Sequence, residues 1–509
     1  MNKTLMALTL CAAATLVAIQ PARAASSGPP AVTNSGFEKG VTGWRTSTGK
    51  GASALTQAGG HSGSSRLTQQ AATASRAETR QTVSGLRDGY YTLRAWVRAG
   101  AMNQSRITLK DCGSPDTSTW VPASGSEWLH IAVTQKVTRG RCTISLATDA
   151  AAGGWADFDD VTFAPGKATL AVKGADTSSL PKSEANGGRY FTASGKRADP
   201  LKIMHGAGAD YVRLKVWVDP ADGYNDKAHV LAMARRVKAL GMGLLIDFHY
   251  SDAWADPGKQ YKPAAWADLD YAGLKTALYD HTYDVLNALK AQGTTADMVQ
   301  VGNEINDGIL WEEGRSSHFA DLAGLLNAGY QAVKDVSAET MVVLHVAEGG
   351  NNGLFRWWFD SAAANGVRYD VIGVSYYPYW HGTLGAFQAN IDDIAARYGK
   401  PVLVAETAYP FTDAENDPLT NIITSAEPYP NYPATRAGQT AMFRDVLSIV
   451  QAVPDGRGLG AVYWEPTWTA VAGNGWDPAD PSSGNGWENQ ALFGYDDRAL
   501  PAMGAFAHR

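Results

Sequence analysis

A chain of 509 residues that is 45% hydrophobic and 18% charged can bury more than one hydrophobic core, so two domains are expected, one large enough for a complete barrel. The formal net charge of −6 comes with no block of like charge. That pattern argues against nucleic acid or a membrane surface as partner and for a neutral or polar one.

The first residues run from Lys3 through an apolar stretch, Leu5 to Ile19, to Ala22-Arg23-Ala24. This predicts a signal peptide over 1–24, cut before Ala25, and hence a secreted, extracellular protein. The apolar stretch is short for a membrane span, and no other run of about 18 apolar residues occurs. Cys11 leaves with the leader, so only Cys112 and Cys142 remain, and in an exported protein two cysteines in one small domain are expected to pair.

From Val32 to about Pro165 the chain is rich in Ser, Thr and Gly and alternates with period two, as in Tyr90-Tyr91-Thr92-Leu93-Arg94-Ala95-Trp96-Val97. This predicts an antiparallel β-sandwich over 25–166, jelly-roll-like in class. Beyond Pro165-Gly166-Lys167, apolar β-branched runs alternate with amphipathic stretches, which marks βα units around a parallel sheet. Eight such runs are present: Thr169–Gly174, Tyr211–Val218, Gly243–Phe248, Met298–Val301, Met341–Val346, Val371–Val374, Val402–Ala405 and Leu459–Tyr463. Helical patterns lie between them, among them Lys227 to Leu240 before Gly241 and Leu274 to Ala291 before Gly293. Eight units over 167–509 predict an α/β fold, a (β/α)8 TIM barrel with enlarged loops.

Catalytic groups of such barrels sit at the C-terminal ends of strands, and there the polar residues gather. The candidates in chain order are Asp176, Arg213, Asp247, His249, Trp254, Asn303, Glu304, His345, Tyr376, Glu406 and Trp464. Glu304 and Glu406 end strands four and seven, on opposite sides of the barrel mouth. Facing carboxyl groups are what a retaining glycosidase needs, one as acid and one as nucleophile. Glu304 is expected to be the acid/base and Glu406 the nucleophile. Arg213 and a hydrogen bond from Tyr376 should keep Glu406 ionised, and a nearby carboxylate should raise Glu304. Asn303 is placed for the sugar 2-hydroxyl. His249 and His345 suit either carboxyl orientation or sugar contact, and Asp247 either loop capping or substrate. The chain's sixteen Trp offer rings for sugar faces: Trp464 as the floor of the cleavage site, with Trp254, Trp311, Trp380 and Trp468 for outer subsites. Glu465 is expected to point away.

The runs Tyr211 to Pro220, Asp247 to Asp252, Val301 to Asn306, Ser375 to Pro378 and Ala405 to Pro410, with Gly174-Ala175-Asp176 and Trp464-Glu465-Pro466, resemble glycoside hydrolase family 53. The resemblance covers about Ala168 to Arg509. It implies arabinogalactan endo-β-1,4-galactanase activity on galactan and type I arabinogalactan, with the acid/base at Glu304, the nucleophile at Glu406 and no cofactor for the chemistry. Less closely, Asn34-Ser35-Gly36-Phe37-Glu38 and Asp159-Asp160-Val161 resemble the two ends of carbohydrate-binding β-sandwich modules. There a structural Ca²⁺ often joins the chain ends, which makes Glu38 and Asp160 candidate ligands. Asp477, Asp480 and Asn485 form a second oxygen-rich candidate. A polysaccharide is the expected partner, and a monomer the expected state. The competing readings are a retaining β-glycanase acting on mannan, xylan or glucan, and a noncatalytic galactan-binding protein.

Overall fold

A computed structural model describes residues 32–100, 104–424 and 429–508. The expected leader and Cys11 lie outside the described residues.

Ten strands come first: β1 (Arg45–Thr48), β2 (Ala52–Ala58), β3 (Ser65–Ala71), β4 (Ser75–Ser84), β5 (Gly89–Ala99), β6 (Gln104–Lys110), β7 (Thr117–Trp120), β8 (Leu129–Val137), β9 (Arg141–Ala150) and β10 (Trp155–Pro165). They form two antiparallel sheets, ordered β1-β4-β9-β6-β7 and β2-β3-β10-β5-β8. Alternation explains the packing. In β5, Tyr91, Leu93, Ala95, Val97 and Ala99 are buried between the sheets, and Arg94, Trp96 and Arg98 point outward. Cys112, just past β6, and Cys142 in β9 form a disulfide that ties two paired strands of one sheet.

The barrel strands are β11 (Val172–Asp176), β12 (Tyr211–Val216), β13 (Gly243–Phe248), β14 (Met298–Val301), β15 (Met341–Val346), β16 (Val371–Ser375), β17 (Val402–Thr407) and β18 (Gly458–Tyr463). All pair in parallel, and β18 closes the ring on β11. The first strand lies slightly later than expected, starting at Val172 and ending at Asp176. Around the ring lie α1 (Leu180–Ala185), α2 (Pro200–Ala207), α3 (Lys227–Ala239), α4 (Tyr271–Ala291), α5 (Phe319–Val336), α6 (Asn352–Ala364), α7 (Leu384–Tyr398) and α8 (Arg436–Ala452). Helix α4 begins before Leu274 because the Asp270 side chain caps the Gly273 N–H. Gly241 and Gly293 take φ of 73° and 82° just past α3 and α4, where a side chain would strain the backbone.

Inside the barrel, Val172, Leu245, Met298, Val343, Val371, Leu403 and Val462 form an apolar plug. Two residues further along three of these strands the same inward face becomes polar, at Asp247, Gln300 and His345. A single period-two step thus separates the layer that closes the barrel from the layer that builds its site.

The sandwich docks on α7 and α8. Gln388 bonds both the backbone N–H (2.7 Å) and the carbonyl (2.7 Å) of His130, the Ala123 N–H donates to Tyr432 (2.9 Å), and Thr119 meets Ser448 at 3.1 Å. Leu129 of β8 is buried in the barrel's own core cluster.

Candidate active site

Arg213 is the hub beneath the mouth. It is 1% exposed and donates to Gln300 (2.7 Å), Asp176 (2.6 Å), Asp247 (2.8 Å) and Asn303 (2.8 Å), and its Nη2 pairs with Glu406 Oε1 at 2.9 Å. Burial alone would weaken this cation, but Asp247, Glu406 and Asp176 hold its proton firmly. Burial likewise works to raise Asp247, yet Arg213 and His249 keep its carboxyl below the usual range.

Glu406 reaches this hub through a strand irregularity. Leu403 points into the barrel, so strict alternation would turn Ala405 inward and Glu406 outward. The register shifts between Val374↔Val404 and Ser375↔Glu406, and Glu406 swings inward. The expectation for Tyr376 is corrected here. Its hydroxyl donates to the Gly382 carbonyl (3.0 Å), and its ring stacks on Phe387 of α7. Tyr377 donates to Glu406 instead, at 2.8 Å. Val371, Ser375 and Tyr377 share the inward parity of β16, so alternation within the run was the signal for Tyr377.

Glu304 follows β14 through Gly302 and Asn303, and both Gly302 (φ 91°) and Glu304 (φ 47°) lie in the left-handed region. A Cβ on Gly302 would lie 2.5 Å from Ile305 Cγ2, so only glycine fits the turn. The Ser375 hydroxyl donates to Glu304 Oε1 (2.6 Å), and His345 Nε2 lies 2.7 Å from the same hydroxyl. His345 Nδ1 faces two donors, Gln300 Nε2 (3.0 Å) and the Glu304 N–H (3.4 Å), against one acceptor, Asn303 Oδ1 (3.1 Å), which favours the tautomer with the proton on Nε2 toward Ser375. Burial and Arg213 hold His345 well below its ordinary pKa, so it is neutral.

Burial raises Glu304 to about 7, aided by the charges of Asp256 and Asp247 and opposed by Ser375. Burial, more than a single neighbouring carboxylate, is therefore the main cause. Burial also raises Glu406, as does charge on Glu304. Taken alone, that direction argues against an ionised Glu406. The contacts argue the other way, because Glu406 has a guanidinium at 2.9 Å and a phenol at 2.8 Å, whereas Glu304 has a serine hydroxyl. A charge shared by two buried carboxyls settles on the one that holds the cation.

The mouth opens into a cavity of about 660 Å³. His249, Trp254, Asn303 and Trp464 line it, along with Trp380 and Trp468. Tyr376 does not, being buried outside the barrel against α7, and neither do Asp176, Arg213, Asp247 and His345, each at most 1% exposed and supporting the site from below. Inward side chains this low in the barrel neutralise one another instead of facing a ligand. Trp311 is also displaced from the cavity, with the Arg315 guanidinium 3.8 Å over its ring. Tyr377, Trp476, Trp487, Lys259 and Glu348 line the cavity without having been singled out in the sequence. Trp476 and Trp487 sit in the long segment after β18, which carries no periodic signal.

Glu465 is buried, away from the cavity, and holds Lys215 Nζ at 3.0 Å. That ammonium lies 3.8 Å over the Trp254 ring, fixing one face of a cavity wall. Lys215→Met is expected to cost about 3 kcal/mol at pH 7, because it leaves Glu465 as an unpaired buried anion. Without Lys215 the folded-state pKa of Glu465 rises further, so part of the loss should return as pH falls and the carboxyl protonates. Denaturant melts at pH 7 and pH 5 check this; equal destabilisation at both would refute the ion-pair account.

The proposed calcium ligands already have other partners. Glu38 accepts from Ser64 N (2.9 Å), Ser64 Oγ (2.6 Å) and Ser65 N (2.9 Å), and Asp160 meets His61 (2.7 Å) and Ser62 (2.7 Å). Asp477 and Asp480 each cap backbone N–H groups two residues on, and Asn485 bonds Trp468 and Trp487. Among the described residues no group of three His, Cys, Asp or Glu side chains converges as a metal site. No role is derived for a Ca²⁺ ion at either place.

A (β/α)8 barrel whose C-terminal mouth carries two glutamates in a tryptophan-lined cleft defines a class, the barrel glycoside hydrolases. Residues 172–506 match the model of glycosyl hydrolase family 53, and the chain belongs to that family. It is 35% identical over 371 residues to an endo-beta-1,4-galactanase of Bacillus subtilis (strain 168), covering 66% of this chain and 85% of that protein. An arabinogalactan endo-beta-1,4-galactanase of Cellvibrio japonicus (strain Ueda107) is 39% identical over 345 residues, covering 65% and 89%. Among solved structures, the Ignisphaera aggregans GH53 catalytic domain is similar with a TM-score of 0.64 and 40% identity, covering 66% of this chain and 95% of that one.

Proposed function

We propose that this protein cleaves internal β-1,4-galactosidic bonds of galactan and type I arabinogalactan with retention of configuration. Family membership and the names of the relatives support the substrate. The observation that carries the mechanism is the unequal surroundings of the two carboxyls, a cation on Glu406 and only a hydroxyl on Glu304.

In this reading Glu406 attacks the anomeric carbon as the carboxylate while Glu304 gives its proton to the departing glycosidic oxygen. Water, deprotonated by Glu304, then releases the glycosyl group from Glu406. Tyr377 and Arg213 hold the nucleophile in place, and the His345–Ser375 pair holds the acid. Asn303 uses one amide N–H on the Ala255 carbonyl (2.8 Å), which leaves the other for the sugar 2-hydroxyl. Trp254, Trp464 and Trp487 supply ring faces. The Cys112–Cys142 disulfide supports secretion, since such bonds persist outside the reducing cytosol. The sandwich is read as a carbohydrate-binding module.

The test is incubation with unbranched β-1,4-galactan, β-mannan, xylan and cellulose, following reducing ends and viscosity. A rapid viscosity drop on galactan alone is expected. Activity on another polymer would keep the mechanism and void the substrate, and silence on all four would favour a noncatalytic binding protein.

A further inference from the structure

We propose that the outward face of the β1-β4-β9-β6-β7 sheet holds a site for an acidic sugar, a uronate residue of a polysaccharide. Arg45 and Arg80 take its carboxylate, and Asp111, Thr82 and Thr143 take its hydroxyls. The site lies on the sandwich, apart from the cleft, and stands whichever glycan the barrel cuts.

Register builds it. Arg45 of β1 is directly opposite Arg80 of β4, Thr82 of β4 is opposite Thr143 of β9, and Thr143 is opposite Lys110 of β6. Alternation buries Ala77, Thr79, Gln81 and Val83 of β4 between the sheets, which turns Arg80 and Thr82 outward together with the residues they face. Strand β9 offers this face only short side chains, Thr143, Ser145 and Ala147, all of them buried. A trough therefore runs along β9 between longer neighbours. Part of it is a cavity of about 430 Å³ lined by Arg45, Arg80, Thr82, Thr143 and Asp111, with the two threonine hydroxyls 2.9 Å apart. Asp111 and Thr143 each adjoin one cysteine of the Cys112–Cys142 disulfide, which fixes them relative to each other.

The charges here are unbalanced. Like charges directly opposite on a sheet cost stability. One arginine on the edge strand β1 would guard the sheet edge, but a second facing it from β4 adds only repulsion. Lys110 on the same face has its own carboxylate, Glu78 at 2.6 Å, and the Ser145 hydroxyl donates to the same oxygen at 2.6 Å. Among the described residues neither Arg45 nor Arg80 pairs with a carboxylate, on a chain whose net charge is −6.

The mixture of groups selects the ligand. A simple anion would satisfy the two guanidiniums and be repelled by Asp111. A neutral sugar would suit Asp111 and the threonines and leave the guanidiniums facing each other. A uronate has both parts, a carboxylate for the planar N–H forks and ring hydroxyls that donate to Asp111 and exchange hydrogen bonds with Thr82 and Thr143.

The test is electrophoresis of the full-length chain through gels containing polygalacturonate, its fully methyl-esterified form or dextran sulfate, with mobilities referred to polymer-free gels. Retention by polygalacturonate and not by the ester is expected, relieved by free galacturonate and not by galactose. Arg45→Gln and Arg80→Gln should each weaken retention about tenfold, and Arg80→Lys, which keeps the charge without the fork, should lose less. Both glutamine variants should melt no lower than wild type, because each relieves a contact between like charges. Asp111→Gly decides the class, and glycine fits the left-handed backbone there (φ 56°). A uronate site loses affinity with its hydroxyl acceptor, whereas attraction of a bare polyanion grows when a carboxylate is removed. Stronger retention of Asp111→Gly would overturn the site, as would equal retention by dextran sulfate or by the ester, or no retention of wild type by polygalacturonate.

Discussion

Glu406→Ala is expected to lower kcat on galactan on the order of 10⁴-fold or more, because it removes the group that forms the covalent intermediate. Binding should survive, since Glu406 is only one of the residues lining the cavity and the rings of Trp254, Trp464, Trp468 and Trp487 remain. The substitution also removes one of three anions around Arg213, and Asp176 and Asp247 remain to hold the guanidinium. The fold should therefore tolerate the change. Azide with an activated aryl galactoside separates the two glutamates. In Glu406→Ala, azide entering the vacated space should give an α-galactosyl azide, inverted at the anomeric carbon. In Glu304→Ala the intermediate still forms on Glu406, and azide should give the β-product. Products of the opposite configuration would exchange the two roles, and wild-type turnover of galactan by Glu406→Ala would reject the mechanism.

The barrel was legible in the sequence because each parallel strand is buried on both faces and reads as a continuous apolar run, so seven of the eight runs could be placed within two residues at each end. The two glutamates were legible as polar residues terminating such runs. Harder to read was the direction each neighbour takes. Tyr376 and Tyr377 are adjacent and chemically equivalent, and only the inward parity of β16 assigns the contact with Glu406 to Tyr377. For Glu406 itself parity misleads, because the shift opposite Ser375 reverses it, and no residue type in Val402–Thr407 announces the irregularity. Asp176, Arg213 and Asp247 were recognised as site residues but not as its buried floor. Depth in the barrel depends on stagger between strands, which a run of apolar residues does not encode. The outer tryptophans divided for a similar reason. Trp380 and Trp468 line the cavity while Trp311 lies under Arg315, and all three come from loops without periodicity.

The pH profile carries the second large effect. Glu304 is raised to about 7 and must be protonated to act as acid, so kcat/KM on galactan is expected to fall as pH rises through about 7. The acidic limb belongs to Glu406, which must lose its proton before attacking. Glu304→Gln cannot transfer a proton and is expected to lose roughly 10²- to 10⁴-fold on galactan, with far less loss on an aryl galactoside whose leaving group needs no acid. Ser375→Ala tests the coupling more finely. The Ser375 hydroxyl favours the charged form of Glu304, so its removal should raise the carboxyl's pKa. A higher pKa keeps the acid protonated to higher pH, and the alkaline limb should move up while the acidic limb stays. If Ser375 were only a packing residue, kcat would fall with both limbs in place, and the link from His345 through Ser375 to Glu304 would have no part in setting the proton.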